Sequence, residues 1–176
     1  LIKSYPMDIV NMIVNEPDKY GNTLLIDAVS DGNEKMVELL IENGANVNHV
    51  AKGGFTPLIA ASQDNHFNIV KLLIEKGADV NTTDSNKRTA LYVAAAYGHK
   101  KIVKLLIEKG ADVNIQTEPY KHSALMFAAS RGYNDIVKLL IKHGADLNAQ
   151  DINGTPAKAY IDIPADVIRS LGRIRN

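Results

Sequence analysis

The five histidines are the side chains of this sequence best suited to bind a transition metal or to transfer a proton near neutral pH. They are His49, His66, His99, His122 and His143. His66 and His99 hold the same position in two copies of an internal repeat, and stacked helices lie about 8–10 Å apart. Zinc ligands bind about 2 Å from the metal, so a shared site is not expected. The spacing favours a structural role for this pair, whereas His49 and His122 are expected in loops and are better interpreted as contact residues.

The other reactive groups give no stronger case for catalysis. Glu75 and Glu108 are also one repeat apart, on the outward face of a predicted helix, which is too far apart for paired acids. The sequence has no cysteine, so disulfides and thiolate chemistry are excluded. Phosphate-binding loops, serine-nucleophile elbows and paired-histidine zinc motifs are absent from the sequence. We therefore predict a protein that is not an enzyme, with no catalytic residue, cofactor or bound metal.

Composition narrows the class of partner. The 176 residues are 45% hydrophobic and 23% charged, as is typical of a folded soluble protein. Twenty basic residues balance twenty acidic ones, so no net charge attracts nucleic acid or an anionic membrane. Arg169, Arg173 and Arg175 are interpreted as the solvated face of a capping helix. We expect a monomer with a protein partner, no nucleic acid and no membrane insertion. A cytoplasmic location is expected, with a secreted or periplasmic one left open.

The sequence repeats itself about every 33 residues. Residues 69–81 and 102–114 are the same thirteen residues, IVKLLIEKGADVN, and residues 36–48 and 136–148 are close variants. A threonine or serine recurs with the same period. Two landmarks that stay in phase over most of the chain predict an array of repeated structural units. The members of the second landmark are Thr23, Thr56, Thr89, Ser123 and Thr155.

Each unit predicts two helices joined by a tight turn. Thr56 is suited to cap the first helix, and Pro57 can occupy its first position because the missing N–H costs nothing there. Gly98 marks the turn after a first helix, where a left-handed conformation is needed. Apolar residues of 69–73 then form the buried side of a second helix. Gly77, Gly110 and Gly144 are expected to end the second helices with positive φ.

A helix–turn–helix unit of 33 residues with T-P-L, A-A, G-H, I-V-K-L-L and G-A-D-V-N in this order resembles the ankyrin repeat. The resemblance covers about residues 7–176 and implies an all-α fold, an α-solenoid of stacked helix pairs with short β-hairpin fingers. We predict one domain over 1–176, with a partial repeat at 1–17 and a C-terminal capping repeat at 151–176. The full repeats are expected at 18–50, 51–83, 84–116 and 117–150.

The chain departs from the family pattern at the histidine of T-P-L-H. Apolar side chains stand at that position in every full repeat, so we expect them to fill the space between the helices. The first finger is expected to be stunted, because six residues separate Pro17 from Thr23, against twelve from Gly44 to Thr56. The replacing residues, with the capping repeat included, are Ile26, Ile59, Tyr92, Met126 and Lys158.

The front of the array is predicted to be unfinished. Residues 7–14 have the pattern of a second helix without its first helix. An apolar patch is therefore expected around Ile9 and Ile13, together with further residues upstream of Leu1.

Positions that differ between repeats are the candidates for binding, because the shared framework folds without them. The resemblance implies that partners meet the finger tips and the exposed part of the first helices, on the concave side. Tyrosine and arginine bury large areas and still form hydrogen bonds, so the expected anchors include Arg88, Tyr97 and Arg131. For Phe55 and Tyr120, also expected as anchors, a role in bracing their fingers stays open. The full candidate set is Ser30, Asp31, Phe55, Gln63, Asp64, Arg88, Tyr97, Tyr120, His122 and Arg131.

The predicted function is that of a protein–protein interaction module that binds through its finger tips and concave first-helix surface. The alternative is a regulatory or targeting domain of a larger enzyme or channel. An engineered binder is disfavoured, because its framework would repeat more strictly than this one.

Overall fold

A computed structural model describes residues 7–172, and within them ten α-helices follow one another along the chain. The helices form two layers and alternate between them, except that the last two both belong to the outer layer. The inner helices are α2 (Leu24–Ser30), α4 (Pro57–Gln63), α6 (Ala90–Ala96) and α8 (Ala124–Ser130). The outer helices are α1 (Met7–Asn15), α3 (Glu34–Glu42), α5 (Phe67–Glu75), α7 (Lys100–Glu108), α9 (Asn134–Lys142) and α10 (Ala165–Gly172).

The layers are built from contacts between neighbouring repeats. Along the inner row α2 packs against α4, α4 against α6, and α6 against α8; along the outer row α3, α5, α7 and α9 pack in the same order. Each inner helix also packs against the outer helix that follows it. This arrangement confirms the all-α solenoid, since every unit buries its apolar side on the next one.

Threonine and serine start the inner helices as predicted. The hydroxyls of Thr56, Thr89 and Ser123 accept from the backbone N–H three residues on, at 3.2, 3.1 and 3.3 Å. Thr23 differs, since its hydroxyl is buried without a hydrogen-bond partner among the described residues. Glycine, or Asn65 with φ of 62°, makes the turn after each inner helix.

The core lies between the two layers. Leu73, Leu106 and Leu140 of the outer helices have no exposed surface, and Ala61 and Ala94 of the inner helices are equally buried. The small alanines let neighbouring helices approach closely. The apolar residues that replace the family histidine are all buried, from Met126 and Ile59 at 1% exposed to Tyr92 at 8%, which confirms that they fill the space between the helices. Lys158, at the same position of the capping repeat, is exposed.

Asparagines in the loops that follow the outer helices connect successive repeats by hydrogen bonds. Nδ2 of Asn48 donates to the carbonyl oxygen of Gly77 at 2.9 Å, and its Oδ1 accepts from the Asp79 N–H at 2.8 Å. Asn81 and Asn114 make the equivalent pair of bonds one and two repeats later. The G-A-D-V-N motif is therefore a connector between repeats as well as the end of a helix.

The loops 43–56, 76–89, 109–123 and 143–156, here called the finger loops, end in tight turns and do not form β-hairpins of paired strands. Within residues 7–172 the β-structure consists of two isolated bridges, Gln116 with Ser123 and Gln150 with Pro156. The β-hairpin fingers are thus not confirmed. The loop at 16–23, between α1 and α2, is shorter than the finger loops, as its spacing predicts.

The finger tips are tied to one another through the backbone. Each tip donates one N–H to a carbonyl oxygen of the tip before it, so a line of hydrogen bonds runs from the first loop to the last. These bonds are Lys52 to Tyr20 at 3.3 Å, Ser85 to Gly53 at 2.8 Å, Glu118 to Asn86 at 2.8 Å and Ile152 to Tyr120 at 3.0 Å.

The two ends of the array differ in polarity. On α1, Val10 and Val14 are buried, whereas Ile9, Met12 and Ile13 are 44, 70 and 60% exposed. Spacings of three and four residues place these three on one helix face, so the expected apolar patch is present.

At the other end, α10 packs against α9 and a 3-10 turn, Ala157–Tyr160, packs against α8. Thr155 and Pro156 therefore lead into a 3-10 turn where the repeat has an α-helix. The Tyr160 hydroxyl donates to Oδ2 of Asp151 at 2.6 Å, and this bond lowers the pKa of the Asp151 carboxyl. Arg169 is exposed on α10; Arg173 and Arg175 lie outside the described residues.

Gly110→Val is expected to lower the free energy of unfolding by at least about 1 kcal/mol. Gly110 has φ of 88°, and a Cβ there would meet no atom within 4 Å, so backbone strain is the main expected cost. Urea unfolding measures it. The matched control is Lys109→Val, at an exposed neighbour with φ of −95°, for which a change under about 0.5 kcal/mol is expected. Equal effects of the two substitutions would contradict the capping role of Gly110.

Candidate partner-binding surface

The C-terminal ends of the inner helices form a row of equivalent solvent-facing positions. Asp31, Asp64, Tyr97 and Arg131 follow α2, α4, α6 and α8 in turn. All four are exposed, Tyr97 by 56%. The row therefore changes from acidic in the first two full repeats to aromatic and basic in the next two, while the helices beneath it stay alike.

The finger loop before α6 holds an arginine beside this row. Oδ1 of Asp84 accepts from the backbone N–H groups of Asn86 and Arg88 at 2.9 and 2.8 Å. Its Oδ2 lies 2.6 Å from Nε of Arg88. The Asp84 side chain is 1% exposed and that of Arg88 36%. A buried carboxylate thus closes the loop turn and at the same time orients the half-exposed guanidinium.

Two aromatic rings from neighbouring repeats form an apolar floor between the fingers and the inner helices. Tyr92 of α6 and Phe127 of α8 meet edge to face with ring centroids 5.6 Å apart. Burial raises the pKa of the Tyr92 phenol. Cζ of Arg131 lies 5.5 Å from the centroid of the Phe127 ring, within the range of a cation–π contact.

Two cavities open above this floor and share Arg88, Tyr92 and Phe127 in their walls. One, of about 410 Å³, extends toward the finger tip at Pro119 and Tyr120. The other, of about 170 Å³, extends toward the ends of α6 and α8. We call the two together the aromatic groove. Its principal side chains are Arg88, Tyr92, Tyr97, Tyr120, His122, Phe127 and Arg131.

The structure brings five of the ten sequence-predicted residues together in the aromatic groove. Arg88, Tyr97, Tyr120, His122 and Arg131 all line one of the two cavities. Tyr120 stacks on His122 at 6.0 Å between ring centroids, so a contact role and a bracing role are both open to it. His122 is half-buried.

The other five predicted residues lie outside the groove. Phe55 is half-buried and packs against the core, as the bracing interpretation requires. The backbone carbonyl of Gln63 accepts from Nε2 of His99 at 2.9 Å, a framework contact between repeats. The three remaining residues, Ser30, Asp31 and Asp64, are exposed at the C-terminal ends of α2 and α4.

Tyr92 and Phe127 line the groove but are not among the residues predicted from the sequence to bind a partner. Tyr92 was expected only as a filler of the space left by the family histidine. Phe127 stands where the other full repeats have Asp27, Ala60 and Val93. That single large aromatic residue among small or polar ones was the available signal, and its meaning depends on the ring of the preceding repeat.

The solvent-facing side of the first two inner helices carries negative charge. Asp27, Asp31 and Asp64 are exposed, and none of them forms an ion pair with another described residue. Desolvation, and then the charges of Asp18 and Asp31, raise the pKa of Asp27. We call Asp27, Asp31 and Asp64 the acidic front.

Two of the five histidines hold structural positions. Nε2 of His49 donates to the Gly21 carbonyl at 2.7 Å, and His99 makes the bond to Gln63 described above. Over residues 7–172 no three histidine, aspartate or glutamate side chains cluster as metal ligands would. In the same part of the chain, no helix has the length and apolar character needed to cross a membrane.

Comparison with known proteins identifies the family of these repeats. A family model described as ankyrin repeats (3 copies) matches residues 2–84 and 81–151. A search of curated proteins found no significant match. Ankyrin repeats are generally protein–protein interaction modules and are typically not enzymes. With matched repeats over most of its length and the helix pairs in their expected order, the chain belongs to the ankyrin repeat family.

Proposed function

We propose that this protein binds a partner protein through the concave side of the array, with the aromatic groove at the centre of the contact. The observation that supports this most directly is the convergence of Arg88, Tyr97 and Arg131, with Tyr120, on one apolar floor made by two adjacent repeats. Residues of these types provide most of the binding energy in protein interfaces once water is excluded.

Exposure without a structural reason supports the same assignment. Tyr97 and Tyr120 are 56 and 60% exposed, although the neighbouring repeats form the same helices with aspartate or arginine at the Tyr97 position. The framework therefore does not require an aromatic side chain at position 97. A partner that covers Tyr97 and Tyr120 removes apolar surface from water, which is favourable by roughly 25 cal/mol per Å².

The test measures affinity after truncation of two groove residues. Tyr97→Ala combined with Arg131→Ala is expected to weaken binding by about 2 kcal/mol, roughly 30-fold in Kd. The partner is recovered by affinity capture and mass spectrometry, and Kd is measured by calorimetry. Both side chains are exposed, so the unfolding midpoint should hardly change. Arg88 is left in place because its removal strips the buried Asp84 of its cation.

The control pair lies on the outer helices. Lys71 and Lys104 make solvent-exposed ion pairs with Glu75 and Glu108 at 3.9 and 3.8 Å, and such pairs contribute little to stability. Lys71→Ala with Lys104→Ala should leave both binding and stability unchanged. If this pair abolishes binding and the groove pair does not, the partner sits on the convex face and the proposal is wrong.

A further inference from the structure

The charges around the aromatic groove are not equivalent, and this selects the chemistry of what can bind there. Arg88 is compensated by Asp84 at 2.6 Å. Arg131 has no acidic partner within 4 Å among the described residues, and it lies over Phe127 at the rim of the smaller cavity. The unneutralised charge of the groove is thus a single guanidinium beside an aromatic ring, which suits a carboxylate carried next to a large apolar side chain.

Asp31 and Asp64 of the acidic front lie at the other end of the same row. The row is therefore negative at one end and positive at the other, where Arg131 lies. Asp64 and Arg131 hold equivalent positions two repeats apart. With about 8–10 Å between neighbouring helices, these charges are separated by roughly 16–20 Å. An extended chain covers that distance in about six residues at about 3.3 Å each. A ligand that spans both ends therefore needs a basic group and an acidic group at that interval.

We propose that the partner presents to this surface an extended peptide segment whose charged residues follow a fixed order. This inference rests on the proposed function. The segment places an aromatic or large aliphatic side chain on Tyr92 and Phe127 and an adjacent carboxylate on Arg131. It places a lysine or arginine, about six residues away, against Asp64 and the rest of the acidic front. The interface thus selects its ligand both by an apolar anchor and by the order of the charges around it.

The array itself supplies a matched variant with the charges exchanged. Asp64→Arg together with Arg131→Asp keeps the composition and exchanges the charges at these two positions of the row. Each substitution introduces a residue type that the fold already carries at the equivalent position, since Asp31 and Asp64 follow inner helices as Arg131 does. The exchanged protein should therefore fold as the original does, and its circular dichroism and unfolding midpoint are checked first.

The probe is a displayed library of random 14-residue peptides, selected in parallel on the original and the exchanged protein. On the original, we expect peptides with an apolar anchor next to aspartate or glutamate and a basic residue about six positions away. On the exchanged protein the two charge types should trade places. Synthetic peptides from the first selection should bind the exchanged protein at least tenfold more weakly.

The outcomes separate this inference from the proposed function. Some peptides could bind the original and the exchanged protein equally but lose binding to Tyr97→Ala with Arg131→Ala. That result contradicts the proposed order of charges in the ligand and still supports a binding site on the concave side. Peptides that are indifferent to the groove variant as well overturn both. Enrichment of peptides without any charged residue, or of no peptide at all, also overturns the inference. A groove with this apolar floor and these flanking charges should bind a peptide with the proposed order of charges.

Discussion

Gly54→Ala is expected to lower the free energy of unfolding by about 3 kcal/mol. Gly54 has φ of 81°, and a Cβ there would lie 2.6 Å from Cα of Asp84 and 2.7 Å from the Ser85 nitrogen. Both neighbours are backbone atoms of the next finger loop, so the two tips must separate. That movement also strains the 2.8 Å bond from the Ser85 N–H to the Gly53 carbonyl. Denaturant unfolding monitored by circular dichroism measures the loss.

The adjacent glycine provides the control for that substitution. Gly53 has a similar φ of 78°, but its Cβ would meet only the Ser85 hydroxyl, at 4.0 Å. Gly53→Ala therefore carries the conformational cost alone, about 1 kcal/mol. If both substitutions cost the same, contact between the finger tips does not contribute to the stability of the array, and the explanation for Gly54 is wrong.

Asp84→Ala is also expected to lower the free energy of unfolding by about 3 kcal/mol. The carboxylate accepts two backbone N–H groups and pairs with Arg88 while its side chain is 1% exposed. Its removal leaves two part-buried backbone N–H groups and the Arg88 guanidinium without their acceptor. The same variant should weaken partner binding, because Arg88 loses the bond that orients it. Thermal or urea unfolding gives the first effect and calorimetry the second.

A second aspartate with a simpler role is the comparison for Asp84. Asp79 is exposed, and its Oδ1 accepts a single backbone N–H, that of Asn81, at 2.9 Å. Asp79→Ala should cost less than about 1 kcal/mol and leave binding unchanged. A loss at Asp79 that equals the loss at Asp84 would show that burial and the pairing with Arg88 add nothing.

Local sequence was sufficient to predict the helices and their turns. Residues 69–81 and 102–114 are identical in sequence. They form equivalent outer helices, α5 and α7, which are followed by Gly77 and Gly110 with φ of 90 and 88°. Thr56 starts its helix through a hydroxyl bond three residues away. Such features depend on groups within a few residues of each other, so the sequence alone determined the all-α repeat array and exposed positions such as Tyr97 and Arg131 on it.

Only the tertiary structure decided what those exposed positions form together. Tyr92 and Phe127 are 35 residues apart in sequence, and their rings meet because α6 packs on α8. The finger loops are tied tip to tip by bonds between repeats, in place of the expected hairpins of paired strands. The carboxylate of Asp84 orients Arg88 toward a floor that the next repeat completes. The stacking of one repeat on the next sets these distances, and no period or local propensity in the sequence specifies how side chains of different repeats meet.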